Sequence, residues 1–433
     1  MDRKPPPEPC IGRFAFLIHP TCLDDLYACG PGAFARLTAG QQINWQRWIT
    51  SWSQRHHEPG IAYHLPSMRS HAGGFVEGWL IGIPLTPQQM MRLRVREREV
   101  LLDQCLEIAR DLEVDMLGLG AFTSIVSRAG SDLVGRGVNI TTGNSLTAMA
   151  AAESLRMMAR RHGRDLARDE VAVVGAAGSV GRLACKRLAR SSGRLTLFGN
   201  PANPGSLRKL RALAGELCRD ALLRIAEGEL GGLAATLLPF SHRLVDACRA
   251  ALAAPGADTH CALLERVQGL AWQARVPAPV AVTTDLAGEL PRIPFVVSAT
   301  SQGSGFIDAS MLAPGAIVCD AARPADVVAN IRDARPDVCV YEGGLMHLPE
   351  AVTFGRRNVV GCEPGTGLAC LSETIVLTMS GERRDFSIGA EPPLQDAERV
   401  FRLARLHGFE VAIPDTVPAP AAGVRATPLE HAQ

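Results

Sequence analysis

The stretch Val171-Ala-Val-Val-Gly-Ala-Ala-Gly-Ser-Val-Gly181, continued by Arg182-Leu-Ala-Cys-Lys-Arg-Leu-Ala-Arg190, decides the fold. Val171–Val174 is a short apolar, β-branched run, the pattern of a strand buried on both faces. Gly175, Gly178 and Gly181 follow at GxxGxxG spacing. Val180, Leu183, Ala184, Leu188 and Ala189 then recur with a helical period. Strand, glycine turn and helix in that order form the setting of a dinucleotide-binding fingerprint. The glycines allow a tight turn and close approach of a pyrophosphate, and the helix start offers free N–H groups at the positive end of its dipole. Gly175, Ala176, Gly178, Ser179, Val180 and Gly181 are therefore the expected cofactor loop. The competing explanation is a βα turn required by packing alone.

Downstream, Leu195–Phe198 reads as the next strand, ending in Gly199-Asn-Pro201. An acidic residue at that strand end favours NAD and a basic one NADP. Asn200 is neither, so the residues leave NADPH and NADH both open, with Arg208 and Lys209 a little further on. Residues 206–275 are helical in pattern, and 220–276 exceeds an ordinary connection; lid, interface and simple embellishment are its three readings. Short apolar runs at 280–283, 294–298, 316–320 and 338–341 complete a parallel sheet. Ligands gather in the loops at the carboxyl ends of such strands. Ala299, Thr300, Gly343 and Gly344 are the expected nicotinamide side.

Upstream, strands are expected at 14–18 and 74–83. A helix runs from about Met91 to Leu112 behind a Thr86 cap and Pro87. Met116–Val126 gives a strand and glycine loop, and Gly137–Thr147 leads into a helix to Arg161. Residues 41–58, with Trp45, Trp48, Trp52, His56 and His57, show little periodicity. The expected fold class is α/β: an amino-terminal α/β substrate domain (13–165) after a disordered tail (1–12), then a Rossmann-type NAD(P)-binding parallel sheet (166–356). A helical carboxyl-terminal segment (357–433), with Cys370 in it, follows.

A length of 433 residues suits two or three domains, and a formal net charge of +1 points to neither nucleic acid nor an anionic membrane. No stretch reaches about 18 uninterrupted apolar residues, so no transmembrane helix is expected. Residues 1–12 contain no apolar signal-peptide core. The twelve cysteines form no CxxC pair. That argues against a zinc site and a disulfide scaffold, and for free thiols in a reducing cytoplasm; no metal ligands are expected. Cys370 stands out because Gly365 and Gly367 precede it and an apolar helix follows. A thiol at a helix start has a lowered pKa and can act as a nucleophile. Cys362 is the second choice, and most of the other cysteines are core residues.

Four stretches resemble the long-chain acyl-(acyl-carrier-protein) reductases, which make fatty aldehydes. Leu119-Gly-Ala-Phe-Thr-Ser-Ile125 is similar to the family's LGGFTSI, and Thr141-Thr-Gly-Asn-Ser-Leu-Thr-Ala148 to its TTGNTHTA. Val171–Gly181 is similar to VAVVGATGDIG, and Ala369-Cys-Leu-Ser-Glu-Thr374 to ACFAEA. The resemblance implies an acylated Cys370 with Glu373 one helical turn away. It makes His347, in Glu342-Gly-Gly-Leu-Met-His347, the proton donor, one position displaced from the family's NGGVVEH. It implies NADPH as cofactor, a stimulating Mg²⁺, acyl-carrier protein or acyl-CoA as substrate carrier, and an aldehyde-consuming enzyme as partner. Phe122, Thr142 and Asn144 would line the acyl pocket or its polar mouth. The family's TARN, with an Arg for a 2′-phosphate, is Leu197-Phe-Gly-Asn200 here, and the 220–276 insertion is foreign to the alkane-pathway enzymes. Two alternatives stand beside this. One is a shikimate-dehydrogenase-type enzyme without a covalent step, to whose NVT segment Gly137-Val-Asn-Ile-Thr-Thr is faintly similar. The other is an NAD(P)H-binding partner protein without turnover.

Overall fold

The computed structural model describes residues 9–23, 25, 38–203, 205–302, 305–355 and 360–415. The described residues form two compact units, one of those up to 150 together with those from 344 to 412, the other of those from 151 to 343 together with 413–415.

The first unit is built on a five-stranded sheet. Its strands are β1 (Cys10–Ile18), β2 (Gly60–Arg69), β3 (Phe75–Gly82), β4 (Met116–Leu119) and β5 (Asn139–Thr141), in the order β2-β3-β1-β4-β5. β2 is antiparallel to β3 and the rest are parallel. Its helices are α1 (Ala39–Arg55), α2 (Val95–Asp111) and the first two turns of α3 (Asn144–Arg161). Side chains alternate across a strand. Ala15 and Leu17 of β1 pack with Leu101, Leu102, Cys105, Leu106 and Ala109 of α2. Phe14 and Phe16 point to the other face, over Gly78 and Gly118. A Cβ at those glycines would lie 2.1 Å from the Phe14 ring and 2.4 Å from the Phe16 ring.

Three expectations are corrected here. The first strand begins at Cys10, so residues 10–12 belong to the sheet rather than to a tail; residues 1–8 lie outside the described residues. Residues 41–58 are mostly helix α1, closed at its start by a Thr38–Gln41 capping box. The expected helix from 91 to 112 is a short turn, Pro87–Arg92, and a separate helix α2, broken at Leu93.

The second unit holds six parallel strands: β6 (Glu170–Val174), β7 (Arg194–Phe198), β8 (Val280–Thr283), β9 (Phe295–Ser298), β10 (Ile317–Asp320) and β11 (Cys339–Glu342). Their order is β8-β7-β6-β9-β10-β11. Counted from β6 as the first, that is 3-2-1-4-5-6, the doubly wound dinucleotide-binding order. Val171 and Val173 face one core with α4 (Ser179–Leu188), α5 (Ser206–Ala226), α6 (Ser241–Ala253) and α7 (Ala257–Gln273). Ala172 and Val174 face the other core, closed by Ile307, Leu312, Val327 and Ile331. The segment expected as an insertion is therefore part of the main core: α5 is the β7–β8 crossover itself, and α6 and α7 pack on it through Leu244, Leu263, Leu264 and Val267.

The returning chain adds β12 (Leu345–His347), β13 (Thr366–Leu368) and β14 (Glu410–Val411), a small antiparallel sheet, with α8 (Ala369–Met379) and α9 (Leu394–Leu406). Helix α8 is buried on nearly every side, as its apolar sequence demands. It lies on the Phe14–Phe16 face of the first unit, against β1 and β4. A Cβ at Gly12 would meet the Thr378 methyl at 2.8 Å, and one at Gly118 would meet Thr374 Oγ1 at 2.1 Å. The carboxyl-terminal segment thus completes the first unit. The divisions fall at 150/151 and 343/344 rather than at 165/166 and 356/357. No helix among the described residues is long and apolar enough to cross a membrane.

Candidate functional site

In the second unit, β6 and β9 are neighbours at the point where strand order reverses, the position that holds ligand in such sheets. Val174 pairs with Ser298, so the turn at Gly175 lies beside Ala299. Gly175 has φ +80°, and a Cβ there would stand 2.6 Å from Ala299 O. Gly181 lies in the first turn of α4, where a Cβ would be 2.3 Å from Gly175 O. It permits the close helix–strand packing that the third fingerprint glycine serves. Gly178 precedes α4 in extended backbone and is exposed; Ser179 and Val180 are half-buried, and Ala176 is buried beneath them. These residues fit a pyrophosphate as a backbone cradle at a helix start.

Around this cradle, Thr300 is committed to an acid that sequence reasoning did not single out. Asp326 is fully buried and accepts from Ser298 Oγ (2.6 Å), Thr300 N–H (3.1 Å) and Thr300 Oγ1 (2.5 Å). Asp320, at the end of β10, accepts from the N–H groups of Ala322 and Val327. Burial, against those donors, pushes its carboxyl up to about 6, with Asp326 adding to the rise. Gly343 follows β11 directly and donates its N–H to Asp320 O at 2.7 Å; a Cβ there would strike Cys319 Sγ at 2.2 Å. At the end of β7, Asn200 is exposed, its N–H on Ser206 Oγ and its Oδ1 accepting from Ala202 N–H. The nearby cations are engaged with α7: Arg208 with Asp258 and Arg211 with Glu265. No group of three metal-ligating side chains occurs among the described residues.

The first unit holds the cysteine. Helix α8 runs against the strand direction, with Thr378 at the start of β1, Thr374 beside β4 and Cys370 at the carboxyl edge. Cys370 is half-buried in the first turn of α8, whose Ala369 N–H donates to Gly344 O at 2.8 Å. Gly143, φ +73°, brings the turn after β5 against it: a Cβ there would be 2.3 Å from Cys370 Cβ. Burial pushes Cys105, Cys218 and Cys339 up to about 12 and Cys319 to about 11, and raises Cys185 and Cys248 as well. Cys362, the second choice, is buried.

Glu373 is also buried. It accepts from Thr141 Oγ1 (2.5 Å), Ser387 Oγ (2.6 Å) and Leu146 N–H (2.6 Å). Burial raises its pKa against those bonds. A carboxyl so enclosed ties α8 to the start of α3 and to the 387 loop. Those bonds give it a structural role. Thr142 is likewise committed, its hydroxyl donating to Ser387 O at 2.6 Å. Asn144 is half-buried at the start of α3. Phe122 is buried at the start of the short helix Phe122–Val126 that follows β4, and its N–H donates to His19 Nε2 at 3.1 Å. His19 follows β1, with Nδ1 donating to Pro20 O at 2.9 Å; burial lowers its pKa. The signal for His19 was its place directly after a parallel strand. His347 is exposed on β12, opposite Thr366, while Leu345 pairs with Leu368 nearer Cys370. The structure does not bring His347 to the cysteine. Gly344, φ +69°, begins the return into this unit.

No known family model matches the chain. Over 401 residues it is 26% identical to the aminotransferase PigE of Serratia sp. (strain ATCC 39006), covering 92% of this chain but only 39% of that protein's length. Among solved structures, shikimate 5-dehydrogenase from Listeria monocytogenes, in complex with shikimate and NAD, aligns over 90% of this chain and 96% of its own at 8% identity and TM-score 0.31. The apo form of Rhodotorula graminis D-mandelate dehydrogenase aligns over 86% and 93% at 12% identity and TM-score 0.28. With scores this low, the fold assignment rests on the strand order itself.

Proposed function

We propose that the chain is an NAD(P)H-dependent oxidoreductase that reduces an acyl thioester to an aldehyde through a covalent bond to Cys370. The observation that carries this reading is the setting of Cys370: a half-buried thiol in the first turn of a helix, at the carboxyl edge of a parallel sheet, beside a turn that only glycine fits. A thiolate there attacks the acyl carbonyl, and the carrier thiol leaves with a proton. A bound NAD(P)H supplies two electrons and one hydrogen to the acyl carbon. With a proton on oxygen, the thiohemiacetal collapses, releasing the aldehyde and the Cys370 thiol. Gly175–Gly181 would hold the pyrophosphate. With Asn200 at the ribose position, neither cofactor is favoured by charge.

The curated relative is named an aminotransferase. Transamination consumes a carbonyl compound and gives an amine, so amination of the aldehyde is the class of reaction that fits next after this one. For this chain the proposal is the aldehyde-forming step. The test is intact-mass detection of an acyl adduct on a panel of acyl-CoA and acyl-carrier-protein donors, with aldehyde measured in parallel. Wild type should gain one acyl mass and Cys370→Ala none. A Cys370→Ala protein that still traps acyl groups and makes aldehyde would overturn the assignment. Turnover of an alcohol that survives thiol alkylation would replace it with a non-covalent dehydrogenase.

A further inference from the structure

Helix α1 leaves Ile43, Trp48 and Trp52 exposed. Ile49 and Ser53 are buried. Next to them runs an aromatic ladder, Trp45–Trp48 at 5.2 Å and Trp48–Trp52 at 6.4 Å between ring centroids, continued by Trp52–His56 at 6.1 Å. Trp48 is 51% exposed and Ile43 49%. The flank of this ladder is cationic: Arg47 and Arg55 are exposed, and residues 38–57 contain no Asp or Glu.

A hydrogen bond from Gln89 Nε2 to Ser53 Oγ, 3.3 Å, joins α1 to the turn Pro87–Arg92. That turn and the start of α2 carry a similar mix of exposed apolar side chains and arginines, with one acid, Glu97, among them. Met91 is 55% and Val95 62% exposed, between Arg92, Arg94 and Arg96, also exposed, with Arg98 half-buried. Arg94 and Arg96 stand at the amino-terminal end of α2, where the helix dipole disfavours cations, beside exposed Glu97, which accepts from Arg94 N–H. Among the described residues, none of Arg47, Arg55, Arg92, Arg94, Arg96 and Arg98 has an ion-pair partner. Local conflict of this kind marks a site that serves something other than the fold.

We propose that α1 and the 87–98 segment form a docking surface for an anionic lipid membrane. Tryptophans prefer the membrane–water interface, where the ring is half apolar and half wet. An interfacial helix sets Trp and aliphatic residues beside arginines that meet lipid phosphates, and clustered cations raise affinity for anionic headgroups. The surface here is a convex helix with bulky side chains projecting from it, charge-complementary to such headgroups. Net charge over the whole chain hides it, because the cations are local.

The test is sedimentation of the purified protein with vesicles of phosphatidylcholine alone and of phosphatidylcholine mixed with phosphatidylglycerol, at low and high salt. Binding to the anionic vesicles should exceed binding to the neutral ones by roughly tenfold or more and fall with salt. Trp48→Ala/Trp52→Ala and Arg92→Gln/Arg94→Gln/Arg96→Gln should each weaken it by roughly tenfold or more, with circular dichroism unchanged. Quenching of tryptophan fluorescence by brominated lipid should fall sharply in the Trp pair, which keeps Trp45 at the surface and Trp79 and Trp272 away from it. Equal binding to both vesicle types, no binding, or binding that both variant sets retain would overturn the proposal. So would loss of self-association in the Trp pair with no change in lipid binding, which would make the surface a contact between copies of this chain.

Discussion

The carboxyl of Glu373 lies one turn along α8 from Cys370, yet every hydrogen bond it accepts comes from the structure that supports it. The hydroxyls of Thr141 and Ser387 and the N–H of Leu146 converge on it inside the first unit. Removing an acceptor leaves buried donors unsatisfied, which costs far more than the net worth of the bonds. Glu373→Ala should therefore destabilise the protein by about 2–4 kcal/mol, read from the urea midpoint. Glu373→Gln should cost less, because it keeps the volume and one carbonyl acceptor. If Glu373 were instead a proton donor with no structural duty, both variants would lose aldehyde formation while keeping the wild-type midpoint. Cys370 could be picked out from its glycine-rich approach. The task of Glu373 could not, because its partners lie between 14 and 232 residues away in the chain. His19 was hidden for the same reason: its ring meets Phe122, 103 residues on.

At the scale of elements, α4 depends on one missing methyl group. Gly181 faces Gly175 O so closely that Gly181→Ala must lift the helix from β6. The helix start and the glycine turn would then separate, and the pyrophosphate cradle with them. The expected result is a loss of NADPH binding by roughly tenfold or more in a fluorescence titration, with destabilisation of about 1–3 kcal/mol. Alkylation of Cys370, in the other unit, should proceed at the wild-type rate. Unchanged NADPH affinity would remove Gly175–Gly181 from the cofactor site. The β6–α4 unit and the alternating strands after it were legible because both faces of that sheet are buried, so apolar runs mark the strands. Strand β2 was not. It is an edge strand with Pro66 inside a register shift, and only Leu65 and Met68 of it are buried. Helix α1 was missed although Trp45, Trp48 and Trp52 have helical spacing, since few of its residues reach a core. The allegiance of α8 was also invisible, because the glycines that admit it, Gly12 and Gly118, lie hundreds of residues upstream.

For the molecule as a whole, buried titratable groups set opposing pH dependences. Burial lowers the pKa values of His19, His162, His260 and His407 below the ordinary 6.5. His260 also accepts a hydrogen bond from the Arg219 guanidinium, which requires a neutral ring. As pH falls through 6.5 the unfolded chain takes up protons that the folded imidazoles refuse, so stability falls. Asp320 acts in the other direction. Its folded value of about 6 lies above the ordinary 3.8, so between those values the folded state holds the extra proton. Its contribution is present at low pH and lost as pH rises through that window. Glu373, also raised, adds to it. From pH 8 downward the urea midpoint should therefore drop near 6.5 and then fall less steeply below about 6, where Asp320 begins to bind its proton. Asp320→Asn removes that uptake and should make the decline below pH 6 steeper. His19→Gln should make the first drop shallower, since a neutral amide can still accept from Phe122 N–H. A midpoint for Asp320→Asn that falls below pH 6 just as wild type does would show that Asp320 is ionised in the fold well below pH 6, and that its two backbone donors outweigh its burial.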